Sequence, residues 1–193
     1  MQEARQLTPK EKESTINPMV EVAVFGQKKY TGVKEKIGGS GTCFWGEHLF
    51  FEKNGLSSSQ AENEKISVRV LHKSTFKKDT VGTYEFDLTY VYFNDKHCIQ
   101  HMWLALTDVG GEDFQKISGY LKVSIAVIAT GDEQVELKED AGVDKTDQSM
   151  LLMPPQVRTE QYQIIFRFAK AEHLPSMDTF GGCDGFVKIE FLS

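Results

Sequence analysis

Apolar and polar residues alternate along this chain in short runs of strand length. In Ile66-Ser67-Val68-Arg69-Val70-Leu71, Ile66, Val68 and Val70 share one face, a period of two that predicts a half-buried strand. Met19 to Phe25 is apolar with Glu21 as its main polar break, and Gly26 closes it. Gly119 to Ile128 carries the strongest strand pattern in the chain, and Val81 to Phe86 and His101 to Leu106 add two more. Phe44 to Phe51 reads as an aromatic strand and Lys29 to Lys36 as a polar, edge-like one. Between them, Gly38, Gly39 and Gly41 supply a turn, because glycine takes positive φ without a steric cost. Asn54 to Glu64, with serines at 57, 58 and 59, reads as a polar loop. Helical periodicity is weak, with one short turn expected around Leu88 to Phe93. Short strands at this spacing, separated by turn residues, predict an all-β antiparallel sandwich.

The pattern breaks after residue 130. Residues 131–147 hold seven acids against Lys138 and Lys145, a net −5 that leaves only −1 for the rest of a chain whose total is −6. A stretch so acidic and free of aromatics buries too little apolar surface to order itself, and reads as a linker. Met150-Leu151-Leu152-Met153 follows as an apolar clip ended by Pro154 and Pro155. Gln163 to Lys170 and Gly185 to Leu192 are then two further predicted strands.

Composition removes several function classes. A negative chain offers no bulk attraction to nucleic acid, so none is expected as a partner. Three cysteines without a CxxC pair exclude a disulfide framework and a cysteine-based zinc ribbon, and fit a reducing compartment. No apolar run approaches the roughly 20 residues that span a bilayer, and the polar start lacks a signal peptide's apolar centre. His97, Cys98 and His101 imitate a zinc half-site, but no second ligand pair stands at a usual spacing. Gly38-Gly39-Ser40-Gly41 lacks the lysine ending of a phosphate-binding loop. Nothing assembles a nucleophile, a base and an oxyanion site, so no enzyme is expected. The 13 phenylalanines suit a sandwich interior, and Trp45 and Trp103 read as core aromatics.

Two segments share one grammar. Ala4-Arg5-Gln6-Leu7, a polar loop and Asn17-Pro18-Met19-Val20-Glu21-Val22 match Ala171-Glu172-His173-Leu174-Pro175-Ser176-Met177-Asp178, a loop and Cys183-Asp184-Gly185-Phe186-Val187-Lys188-Ile189. This resembles the opening of C2 domains: a strand, the first calcium-binding loop, a second strand. Trp103-Leu104-Ala105-Leu106, then Gly119 to Ile125, then Gly131-Asp132-Glu133, is similar to the second C2 domain of ferlins running into their FerI segment. The resemblance implies a C2-type sandwich over 1–130 with its first strand largely missing, an acidic FerI-type linker over 131–160, and the start of a second C2 domain over 161–193. It also implies a non-enzymatic module for vesicle fusion, membrane trafficking or repair at the cytosolic face of membranes, in a parent protein anchored by a C-terminal helix outside this sequence.

Calcium needs six to eight oxygens, mainly from clustered carboxylates. The resemblance puts the ligand positions of the first domain on Asn17, His72 and Ser74, with only Asp79 acidic late in the third loop and Glu11 and Glu13 in the first. No cofactor is therefore expected there. In the second C2 domain Asp178 and Asp184 fall on two ligand positions, part of a calcium site. Lys73, Phe76, Lys77 and Lys78 make the third loop of the first domain a basic tip for anionic phospholipid. Lys28, Lys29, Lys34 and Lys36 form a second basic set where C2 domains often carry a phosphoinositide-binding face. The competing expectation is that these lysines protect an edge strand, in a module that docks other C2 domains of the same protein without touching lipid.

Overall fold

The computed structural model describes residues 1–8, 15–38, 41–108, 116–133, 135–137, 150–154, 163–172 and 185–189. The chain divides into two compact units, Met1–Gln156 and Val157–Ser193. The first contains β1 (Glu3–Arg5), β2 (Thr15–Ile16), β3 (Pro18–Val24), β4 (Gln27–Tyr30), β5 (Ile37–Gly38), β6 (Cys43–Phe44), β7 (Lys65–Lys73), β8 (Lys78–Asp87), β9 (Cys98–Thr107), β10 (Ile117–Ala126) and β11 (Leu151–Leu152), with short helices α1 (Ser58–Asn63) and α2 (Leu88–Tyr92). In the second unit, residues 163–172 and 185–189, where the pattern predicts two strands, carry no strand among the described residues. Their apolar side chains, Ile165 and Phe186 among them, stand exposed. A strand keeps its apolar face only against further strands or a helix.

In the first unit the ladder runs β4-β3-β7-β8-β9-β10-β1-β6, with β2 and β5 paired separately. It is all-β and antiparallel, apart from β11, which lies parallel to β9. Between β8 and β9 the described pairing is the one position Thr83 to Thr107, so the ladder bends there into two four-stranded faces. Val20, Val22, Ile66, Val68 and Val70 from one face meet Leu104, Leu106, Leu121 and Val123 from the other in a single buried cluster. The alternation read along Ile66 to Val70 is thus the core face of β7.

The bend has a local cause. A Cβ on Gly82 would lie 2.2 Å from Ser118 Oγ and 2.8 Å from Leu106 Cβ, so only a glycine lets β8 pass so close to the opposite face. Away from that corner the faces separate and leave a seam on each side. On the β4–β6 side, Trp45 Nε1 donates to Gly32 O at 2.9 Å and the Glu47 carboxylate accepts from Gly32 N at 3.0 Å. On the β8–β9 side β11 lies along β9, pairing Leu151 with Trp103 and Leu152 with Leu104, and Tyr84 Oη donates to Met153 O at 3.0 Å.

Several elements differ from the sequence expectation. The aromatic strand contracts to Cys43–Phe44, because Gly46 takes φ +62° and breaks the extended run. The polar strand expected over Lys29 to Lys36 lies earlier, at Gln27–Tyr30, entered through a tight turn in which Phe25 and Gly26 both have positive φ, and residues 31–36 are not strand. The loop over 54–64 contains α1, closed by a capping box in which Ser57 Oγ accepts from Gln60 N and Ser57 N donates to Gln60 Oε1. The turn expected at Leu88 forms as α2 and buries Leu88 and Val91. Trp45 is a core aromatic, but Trp103 is not. Trp103 is half-buried, with Arg5 Cζ 4.9 Å and Lys122 Nζ 5.3 Å from its ring centre. Its position in β9 alternates with the buried Leu104, and period two sends it to the opposite face.

The corner is a point of low tolerance. Gly82→Ala should lower stability by about 1–3 kcal/mol through overpacking, read as a reduced urea midpoint with an unchanged slope. An unaltered midpoint would show that Ser118 and Leu106 yield without cost.

Candidate functional site

β7 and β8 form a hairpin in which Lys73 pairs with Lys78. The intervening Ser74 to Lys77 loop is held by Ser74 N donating to Lys77 O at 3.0 Å and by Lys77 N donating to Ser74 Oγ at 3.2 Å. Phe76 at its tip is 97% exposed, an apolar side chain left uncovered by the described residues of its own fold. Lys73, Lys77 and Lys78 around it are all exposed. Lys77 Nζ lies 3.0 Å from Asp79, so the one acid of this loop already faces a cation. Lys78 Nζ lies 4.3 Å over the ring of Tyr30, which draws the hairpin base toward β4.

Asn17 organises this end of the sandwich. Its backbone N donates to His72 Nδ1 at 2.9 Å and its backbone O accepts from Lys73 N at 2.9 Å. Its side chain then works in both directions: Nδ2 donates to Lys73 O at 3.2 Å, and Oδ1 accepts from Lys36 N at 2.8 Å. Lys34 N donates to Pro18 O at 2.9 Å. One amide thus ties the hairpin to the connection that carries Lys34 and Lys36. A carboxylate accepts only, and would leave the Lys73 carbonyl without this donor.

The two basic sets are therefore regrouped. Lys34 and Lys36 reach the hairpin end through the backbone bonds to Pro18 and Asn17, beside Lys73. Lys28 and Lys29 lie toward the other end of β3, opposite Ala23 and Val22, and alternate between faces. Lys28 Nζ stands 3.9 Å from Glu21, while Lys29 Nζ donates to Phe50 O and lies 5.4 Å from the Phe51 ring. Glu21 is buried and central to that outer face: Tyr30 Oη donates to it at 2.8 Å and Arg69 lies 3.6 Å away. The hydrogen bond to Glu21 is the main cause that raises the Tyr30 phenol pKa.

The described side chains at the expected calcium positions face protein groups: Asn17 Oδ1 accepts from Lys36 N, Ser74 Oγ accepts from Lys77 N, and Asp79 lies beside Lys77 Nζ. Among the described residues no group of three or more His, Cys, Asp or Glu is placed to hold a metal ion. Glu11, Glu13, Asp178 and Asp184 lie outside the described residues. His97 and His101 turn to separate partners: His97 stacks on Tyr92 at 4.3 Å, with Nε2 3.9 Å from Asp132, while His101 Nδ1 faces Gln2. Cys43 is buried, and desolvation pushes its thiol pKa up to about 11.

Comparison with known proteins places these features. The model of the C2 domain family matches residues 1–106. Myoferlin of Homo sapiens is 32% identical across 98% of this chain and 10% of its own length. Myoferlin of Xenopus tropicalis is 29% identical across 86% of this chain and 8% of its own. The chain thus spans about a tenth of the length of the curated relatives it matches. Among solved structures, a tandem pair of C2 domains from Extended-Synaptotagmin 2 aligns over 65% of this chain and 36% of its own, with 18% identity and a TM-score of 0.48.

Two outcomes follow from the local chemistry. Asn17→Asp should cost about 0.5–1.5 kcal/mol, the worth of an ordinary hydrogen bond, measured by urea unfolding at neutral pH. The second concerns Cys43. Below pH 9 the thiol is protonated in both states and its contribution is full. As pH rises toward about 11 the unfolded thiol ionises first, so stability falls through that window. Cys43→Ala should flatten the fall between pH 9 and 11, and an identical slope in the two proteins would refute the assignment.

Proposed function

The chain belongs to the C2 domain family and carries a ferlin-type C2 region, and from that premise we propose that it is a non-enzymatic membrane-docking module acting in vesicle fusion, membrane trafficking or repair. Its partner is an anionic phospholipid membrane at the cytosolic face, met by the β7–β8 hairpin without calcium. The observation that carries this reading is the exposed Phe76 flanked by Lys73, Lys77 and Lys78, with Lys34 and Lys36 tied to the same end through Asn17 and Pro18. Each lysine near an anionic surface contributes about 1 kcal/mol, and an inserted phenyl ring adds apolar burial. The hydrogen bonds made by Asn17 and His72 support calcium independence, since they fix the loop geometry with protein groups in place of an ion.

The proposal divides the chain as 1–130 for the C2 sandwich, 131–160 for an acidic FerI-type spacer, and 161–193 for the start of a second C2 domain. Asp178 and Asp184 of that last part are proposed as part of a calcium site. A second reading rests on Lys28 and Lys29, which are engaged by Glu21 and by the Phe50 carbonyl. Lysines used in this way protect the β4 edge and suit a module that docks other C2 domains of its own protein.

Co-sedimentation with vesicles rich in anionic lipid separates the two. Binding should be the same with calcium or chelator and should weaken with salt, because exposed charges are screened over roughly 8 Å at physiological ionic strength. Changing Lys73, Lys77 and Lys78 together to Glu should cost at least about 3 kcal/mol, roughly a hundredfold. Undiminished binding of that variant in low salt would favour the interaction module.

A further inference from the structure

The β8–β9 seam holds a contact that the proposed function does not use. Once β8 departs from β9 at Thr83–Thr107, the remaining outer edge of β9 pairs with no other strand of the two faces among the described residues. Such an edge is a template for any extended segment. In this structure Leu151 and Leu152 lie on it in parallel register, opposite Trp103 and Leu104. Leu152 packs against the core cluster, and Tyr84 of the other face donates its hydroxyl to the Met153 carbonyl at 3.0 Å. Pro154 and Pro155 follow, and a proline has no N–H with which to extend a ladder.

We infer that the β9 edge is a strand-docking site whose resident occupant is this chain's own Met150–Met153 segment, so that the described residues on either side of the acidic run, Ala126 and Leu151, both pair with one strand. β10 ends with Ala126 opposite Cys98, and β11 begins opposite Trp103. Five positions along one strand separate the two ends, roughly 17 Å at the usual rise. The number of residues between Ala126 and Leu151 is ample for that distance, and a tether of that length gives its far end an effective concentration in the range of about 1 mM. A two-residue strand that binds only weakly by itself is retained by this tether. The site accepts an extended apolar segment: two leucines supply the core contact and the edge contact, and Tyr84 reads the next backbone carbonyl. A segment of the same chemistry supplied in trans would compete for it and release Leu151 and Leu152.

Amide hydrogen exchange on the whole 193-residue chain tests this. Changing Leu151 and Leu152 together to Asp should accelerate exchange between Met102 and Ala105 by about tenfold or more, with Val68 to Val70 as an unaffected internal reference. A free peptide with the sequence of residues 148–155, added at several times the tether's roughly 1 mM effective concentration, should restore protection to that variant. If the double substitution also accelerates the reference, Tyr84→Phe decides, since it removes only the hydroxyl that holds Met153 and should speed exchange at 151–153 alone. Unchanged β9 rates in the double variant, or unchanged rates at 151–153 in Tyr84→Phe, would overturn the resident strand, and no rescue by the peptide would overturn the docking site.

Discussion

The approach of two sheet faces at Gly82 is the constraint on which this fold depends. A side chain there would collide with the buried Ser118 and with the Cβ of Leu106. Close passage at one corner lets a continuous ladder fold back on itself and enclose the Val, Leu and Ile cluster. It also opens a seam on either side, and a seam in a sandwich is a run of unpaired backbone. On one side the Trp45–Glu47 region closes it with side-chain bonds to Gly32; on the other, a segment from beyond the acidic run does so with a short parallel strand.

The hairpin end shows how one amide changes what a loop cluster can do. Carboxylates at Asn17, His72 and Ser74 would repel one another until a cation joined them. Asn17 instead donates and accepts at once, and His72 accepts from its backbone, so the same loops are held by the protein's own groups. Electrostatically the end becomes positive. Asp79 lies beside Lys77, and Glu21, further along β3, is buried between Lys28 and Arg69. Lys73, Phe76, Lys77 and Lys78 face outward at the hairpin, while Glu35 is exposed between Lys34 and Lys36.

Much of this was legible beforehand. Period two located β7, and short apolar runs of strand length located β3, β8, β9 and β10. That Asn17, His72 and Ser74 are not carboxylates was equally plain, since it is a matter of residue identity. The Ser57-x-x-Gln60 signature of α1 is present in the sequence but sits among other serines that suit a loop equally well. Residue type alone points Trp103 to the core, whereas its alternation with Leu104 puts it on the other face.

By itself the sequence determined the long strands of the first unit and the lack of carboxylates at Asn17, His72 and Ser74, which follow from local patterning and side-chain type. Only the tertiary structure decided which basic residues share an end. Lys34 and Lys36 reach the hairpin through backbone bonds to Pro18 and Asn17, while Lys28 and Lys29, a few positions earlier, are turned to Glu21 and Phe50. It decided too that Leu151 and Leu152 belong beside Trp103 and Leu104. No period or composition encodes such a pairing, because it joins residues far apart in the chain on an edge that exists only after β8 has turned away from β9.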